Sequence, residues 1–272
     1  MPDHDAPVSG EIDRARAALA TGGHDEAANA CARLLARYPA FAVAWRMLGD
    51  AERGRGDVQA AGRAYAAALA RDPRSPEAWL GLGLLSEGDE RLDDAVAYCQ
   101  VAWELAPERG DLRETLERLA ARRYGPGGAL ELSRPALATL HLRAGRPERA
   151  AREYHAALAQ LPERIDLRLG LAESLWRLGL DDDARAASSA VLESYPEAAL
   201  ALLILAEIER RGGDGGHAAS LAGRLRAIDP DGALVADAAE RHPGAALGWL
   251  AVRGAPEDDG SSGLDAPSMP RE

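Results

Sequence analysis

The chain has 272 residues and a formal net charge of −12; hydrophobic residues make up 47% of it, aromatics only 4%, and all 32 basic residues are arginine. The absence of lysine excludes a phosphate-loop lysine, a Schiff-base lysine and a kinase-type ATP lysine together, since each chemistry needs an amine. The negative charge argues against a nucleic-acid backbone as main partner, which would demand a basic face.

The opening residues, MPDHDAPVSGEIDRA, have neither a basic start nor an apolar run, so no secretory signal is expected there. No segment approaches the roughly 18 uninterrupted apolar residues of a membrane span. The expectation is a soluble, cytoplasmic protein. A first helical hairpin is predicted over about residues 8–39. Ile12, Ala15 and Leu19 point inward, and Glu11, Asp13, Arg14 and Arg16 give it the polar outer side of an end cap.

Residues 42–75 form the clearest unit. Trp45, Leu48 and Gly49 lie in one helical segment, Gly56 breaks it, Ala61, Tyr65 and Ala68 lie in a second, and Pro73 stops the second. Apolar and small residues recur three and four apart on both sides of Gly56, which places them on one face of each helix. Residues 76–109 repeat the pattern, with Trp79, Gly83 and Ala95 at the matching places.

The rhythm then breaks. Residues 111–123 read as one helix with Leu112, Leu116 and Leu119 on a single face, like the first helix of a unit whose second is missing. These leucines are expected to cover the open end of the third hairpin; an exposed linker helix is the alternative. Residues 124–128, YGPGG, are a helix stop. Three more hairpins are expected at about 131–164, 165–198 and 199–232, then a closing helix at 233–241. Residues 245–252, with Leu247, Trp249 and Leu250, either fold back on the last hairpin or serve as a docking peptide. Residues 254–272 form an acidic tail with no apolar periodicity and are expected to be disordered. The predicted organisation is thus residues 8–109 (three hairpins), 110–130 (inserted helix and turn), 131–241 (three hairpins and a cap) and 254–272 (tail).

Pro39, Pro73 and Pro107 recur at intervals of 34 residues, as do Pro162, Pro196 and Pro230. On that period Ala27, Ala61, Ala95, Ala150, Ala184 and Ala218 coincide, as do Gly22, Gly56, Gly145, Gly179 and Gly213. The pattern resembles the tetratricopeptide repeat, a 34-residue helical hairpin, over about residues 8 to 232. The resemblance implies an all-α, right-handed solenoid of about six hairpins with one extra helix. It also implies a concave groove lined by the first helices. Carried over by alignment, the groove positions are Val43, Arg46, Asp50 and Arg53, then Glu77, Leu80, Leu84 and Glu87. In the later hairpins they are Leu132, Thr139 and Leu142, then Asp166, Leu169, Glu173 and Trp176, then Leu200, Leu203 and Glu207. The lysine and asparagine clamp by which some members hold a C-terminal carboxylate is absent. Arg46 and Asp50, Leu80 and Leu84, and Leu169 and Glu173 stand in its place.

Catalytic and metal chemistry find no foothold. Cys31 and Cys99 occupy one repeat position two hairpins apart, too far for a disulfide, and read as buried thiols. Asp181, Asp182 and Asp183 fall at a helix start, where negative charge complements the dipole. Gly81-Leu82-Gly83 lies inside a predicted helix with no preceding strand. No cofactor, metal or active site is expected. The reading is a non-catalytic scaffold that binds a protein or peptide in the groove, with Trp176 as an anchor. Two alternatives stand beside it: an accessory or regulatory subunit of an enzyme complex, and a groove in which Leu169, Trp176 and Leu203 only pack on one another.

Overall fold

The computed structural model of the chain describes residues 8–125, 131–245 and 247–250, and among these there are only helices. In order they are α1 (Val8–Ala20), α2 (His24–Arg37), α3 (Ala42–Gly54), α4 (Val58–Arg71), α5 (Pro76–Gly88), α6 (Leu92–Leu105) and α7 (Gly110–Tyr124). After these come α8 (Arg134–Arg143), α9 (Pro147–Leu158), α10 (Ile165–Arg177), α11 (Asp181–Ser194), α12 (Ala199–Gly212), α13 (Gly215–Ile228), α14 (Ala233–Arg241) and a 3₁₀ turn, Leu247–Leu250. Consecutive helices pair as α1/α2, α3/α4, α5/α6, α8/α9, α10/α11 and α12/α13, and each pair stacks on the next, so the fold is an α-solenoid. The expected acidic tail lies outside the described residues.

The turn inside each hairpin is set by one residue in the left-handed region. Gly22, Gly56, Gly145, Gly179 and Gly213 have φ between 67° and 90°, which glycine adopts without a Cβ penalty. The third hairpin is the exception: its equivalent residue is Glu90, at φ 59° and exposed to solvent. Glu90→Gly is therefore expected to stabilise the protein by about 0.5–1 kcal/mol, the relieved strain outweighing the added freedom of the unfolded chain. Chemical denaturation would register this as a higher midpoint at unchanged slope.

Small residues let the paired helices approach. Ala27, Ala61, Ala95, Ala150, Ala184 and Ala218 are all buried at helix crossings. The ring of Tyr65 lies between α3 and α5: a Cβ on Gly49 would fall 2.6 Å from its Cδ1, and one on Gly81 2.5 Å from its Cε1. Tyr154 stands in the same relation to Gly170 in the later hairpins, and Cys99 fills the equivalent place against Gly83. The Gly81-Leu82-Gly83 run is thus a packing feature. Trp45 and Trp79 tie each first helix to the turn before it, their Nε1 donating to the carbonyl oxygens of Pro39 (2.8 Å) and Pro73 (2.9 Å). Burial pushes the thiols of Cys31 and Cys99 up to about 12 and about 11, so both are neutral packing groups.

The inserted helix α7 is no exposed linker. Leu112, Leu116 and Leu119 are buried against Cys99, Ala102, Trp103 and Ala106 of the third hairpin, together with Ala136 of α8. Arg123 holds Asp93 at 2.6 Å, and Arg118 and Arg122 both pair with Glu87. α8 also packs on α6, so the second set of hairpins starts beside the inserted helix. It turns back toward the first set.

Candidate functional site

The two sets of hairpins touch through the ends of α4 and α6 and the turns around them on one side, and through turns and helices of the second set on the other. Arg71, at the end of α4, pairs with Glu197 at 2.9 Å. Arg164 reaches Glu104 at 2.9 Å and Asp166 at 2.7 Å. Arg143 donates to the carbonyl oxygen of Leu105 at 2.9 Å and pairs with Glu108. Ala40 and Ala42 pack on the large apolar cluster of α10 to α14.

At the centre of this contact is Glu173. Arg74 from the α4–α5 turn, Arg177 at 2.7 Å from its own helix and Arg241 at 3.5 Å from α14 converge on its carboxylate, which is 1% exposed. Burial alone would raise its pKa; the guanidiniums of Arg74, Arg241 and Arg177 outweigh that and hold it at about 2. A single carboxylate thereby joins both sets of hairpins and the terminal helix.

This geometry corrects the expected groove in its second half. Leu142, Leu169, Glu173, Trp176, Leu203 and Glu207 are all buried, not open to a partner. Arg74 and Arg241 lie on Glu173, His242 and the turn at 247–250 lie on Trp176 and Glu207, and Leu142 packs separately with Ala138, Tyr154 and Leu167. The His242 ring stands edge-on to Trp176 with centroids 4.6 Å apart, and Trp249 Nε1 donates to Glu207 at 2.9 Å. Leu247 and Leu250 are buried in the same apolar cluster, so residues 247–250 fold back on the stack, as one of the two sequence readings held. Nor do Leu169, Trp176 and Leu203 contact only one another.

The signal for this closure is in α12. Ala199 to Ile208 is buried at every residue, and its run ALALLILA is apolar on all sides, as a helix covered on every face must be.

In the first half the expected positions stay accessible. Arg46, Asp50, Leu80 and Leu84 are each half-buried; in the second half only Leu132, before α8, is exposed among the expected positions, at 47%. Arg46 pairs with Asp50 at 2.7 Å, Tyr65 donates to the same carboxylate at 2.8 Å, and Arg53 lies 3.4 Å from the Tyr65 hydroxyl. Glu77 and Glu87 face Arg109 (2.5 Å) and Arg118. The apolar groove positions here, Val43, Leu80 and Leu84, are each half-buried and stand among satisfied ion pairs.

Where the two sets meet, a crevice of about 340 Å³ opens between Leu69, Pro73, Trp79, Leu82 and Tyr98 on one side and Arg164, Ile165 and Tyr195 on the other. Trp79 and Tyr98 lie 5.8 Å apart across its wall. Sequence reasoning assigned Trp79 to packing and passed over Tyr98 and Tyr195. Only their aromatic character, scarce in this chain, could have drawn attention to them. Among the described residues Glu209, Asp214 and His217 also gather, but Arg185 occupies Glu209 at 3.0 Å and Asp214 caps α13 through His217 N. That position, at a helix N-terminus, favours anions over a cation.

Two sequence profiles described as tetratricopeptide repeat match the chain, one at residues 12–64 and 46–109, the other at 141–208. The chain belongs to the tetratricopeptide repeat family. Among solved structures it is similar to PilF of Pseudomonas aeruginosa, at 19% identity over 80% of this chain and 90% of that one, with a TM-score of 0.39. It is also similar to YrrB, described as a TPR protein with an unusual peptide-binding site, at 18% identity over 78% and 99% and a TM-score of 0.34. A tetratricopeptide repeat protein from Parabacteroides merdae is a third, at 14% identity over 87% and 98% and a TM-score of 0.38. No curated protein matches the chain in sequence. Tetratricopeptide repeat proteins are generally non-catalytic scaffolds that bind proteins or peptides, and this fold supports a role of that kind. No described helix is long and apolar enough to cross a membrane.

Proposed function

We propose that this tetratricopeptide repeat protein is a non-catalytic scaffold whose concave face at the second and third hairpins holds an extended segment of a partner protein. The observation that carries this reading is the difference in cover between the two halves. Arg46, Asp50, Leu80 and Leu84 are half-buried, whereas Leu169, Glu173, Leu203 and Glu207 of the fifth and sixth hairpins are buried, Glu173 under Arg74 and Arg241 and Glu207 under Trp249. The half-buried Val43, Leu80 and Leu84 suit apolar side chains of the segment, and the arginines and carboxylates among them suit its polar groups.

The test uses a displayed library of random peptides selected on the full chain. Peptides so obtained are expected to lose at least about ten-fold in affinity for Leu80→Asp/Leu84→Asp, since burying a charge there costs more than one such contact returns. Selected peptides that bind the folded double variant as tightly as the parent would overturn the assignment of this face.

A further inference from the structure

In the second half the chain supplies its own occupant, and that occupant displays the chemistry the face accepts. From α14 onward, successive side chains meet groove positions of α10 and α12. Arg241 reaches Glu173 at 3.5 Å, the His242 ring abuts Trp176, and Trp249 donates its indole N–H to Glu207 at 2.9 Å. Arg210 lies over the Trp249 ring at 5.7 Å while also binding Glu207 at 2.8 Å, and Leu247 and Leu250 enter the apolar cluster of α10 and α12. Glu207 is 1% exposed, and the indole and Arg210 both bind its carboxylate. Such an arrangement has the parts of a peptide complex: a cation on a buried carboxylate, an aromatic anchor with a satisfied N–H, and two leucines.

We propose that residues 241–245 and 247–250 act as a ligand bound in cis to the concave face of the fifth and sixth hairpins. The partner for that face is then a peptide segment with the same features: an arginine followed eight residues later by a tryptophan flanked by leucine. Such a partner gains access by displacing the terminal segment. The attachment rests on one 3₁₀ turn and one short helix, so it is the part of the stack with least to lose on release. This site is separate from the face formed by Leu80 and Leu84, and its test does not depend on that face.

The experiment uses the full chain and a fluorescein-labelled synthetic peptide of residues 239–250, AERHPGAALGWL, read by fluorescence anisotropy. Leu247→Asp/Leu250→Asp is expected to release the segment in cis and to bind the peptide at least about ten-fold more tightly than the parent, whose site is already filled. Adding Glu207→Gln to that variant is expected to weaken peptide binding several-fold. Leu80→Asp/Leu84→Asp is expected to leave it unchanged. Equal binding to parent and double variant, or no binding to a double variant of unaltered helicity, overturns the proposal. If the double variant loses helicity, Trp249→Ala takes its place, and peptide binding no tighter than to the parent then counts against the proposal in the same way.

Discussion

Glu173→Gln is expected to lower the midpoint of thermal unfolding by roughly 6–12 °C, the equivalent of about 3 kcal/mol for a chain of this size. Three guanidiniums meet the Glu173 carboxylate, and the two nearest, of Arg74 and Arg177, are themselves largely out of water. An amide keeps the shape but leaves those charges buried beside a neutral group, the situation in which breaking an ion pair costs most. Replacing Arg74, Arg177 and Glu173 together by methionine should restore much of the loss, since the buried charges are removed together and only the more exposed Arg241 keeps its charge there.

The same residue predicts an acid response. Its carboxyl is held at about 2 in the folded chain against an ordinary 4.5, so its contribution is complete above about pH 4.5 and fades as pH falls toward 2. The gap between parent and Glu173→Gln should therefore narrow over that range, as measured by denaturant midpoints at stepped pH. A variant melting within about 2 °C of the parent at pH 7 would mean that Glu173 does not join the two halves.

The second large effect is at the tyrosine between α3 and α5. Gly81→Ala is expected to destabilise the protein by about 1–3 kcal/mol, because its new methyl would fall well inside contact distance of the Tyr65 ring. The ring cannot step aside. Gly49 of α3 lies against it, and its hydroxyl is held by Asp50 at 2.8 Å. Gly170→Ala should behave alike against Tyr154, which is fully buried with its hydroxyl 3.2 Å from Thr139. Gly62→Ala is the control. Its methyl would meet only Leu85 Cδ1 at 4.0 Å, so alanine's better helix propensity should stabilise α4 by about 0.5–1 kcal/mol. Thermal melts in which Gly81→Ala and Gly62→Ala shift the same way would refute this account of the packing.

The residues that set each hairpin were legible in the chain. Glycine at the left-handed turn, alanine at the crossing and proline after the second helix each answer a constraint that acts within about one repeat. For that reason a period of 34 residues was enough to place the helices and to mark α7 as an insertion. The candidate binding face was legible only in part. Leu80 and Leu84, assigned to the groove by alignment, are half-buried, whereas Trp176 and Leu203, for which an open groove and mutual packing were both readings of the chain, are buried.

What the sequence determined alone was the local unit and its number: six hairpins, an interruption and the stacking direction of each apolar face. The tertiary structure alone decided which concave face stays open. Arg74 meets Glu173 across 99 residues, and Trp249 meets Glu207 across 42, distances over which no periodicity carries information. The physical reason is that such contacts depend on small angles accumulated at every hairpin and on the turn introduced at α7. Those angles set where arginine and tryptophan arrive, and no single repeat encodes them.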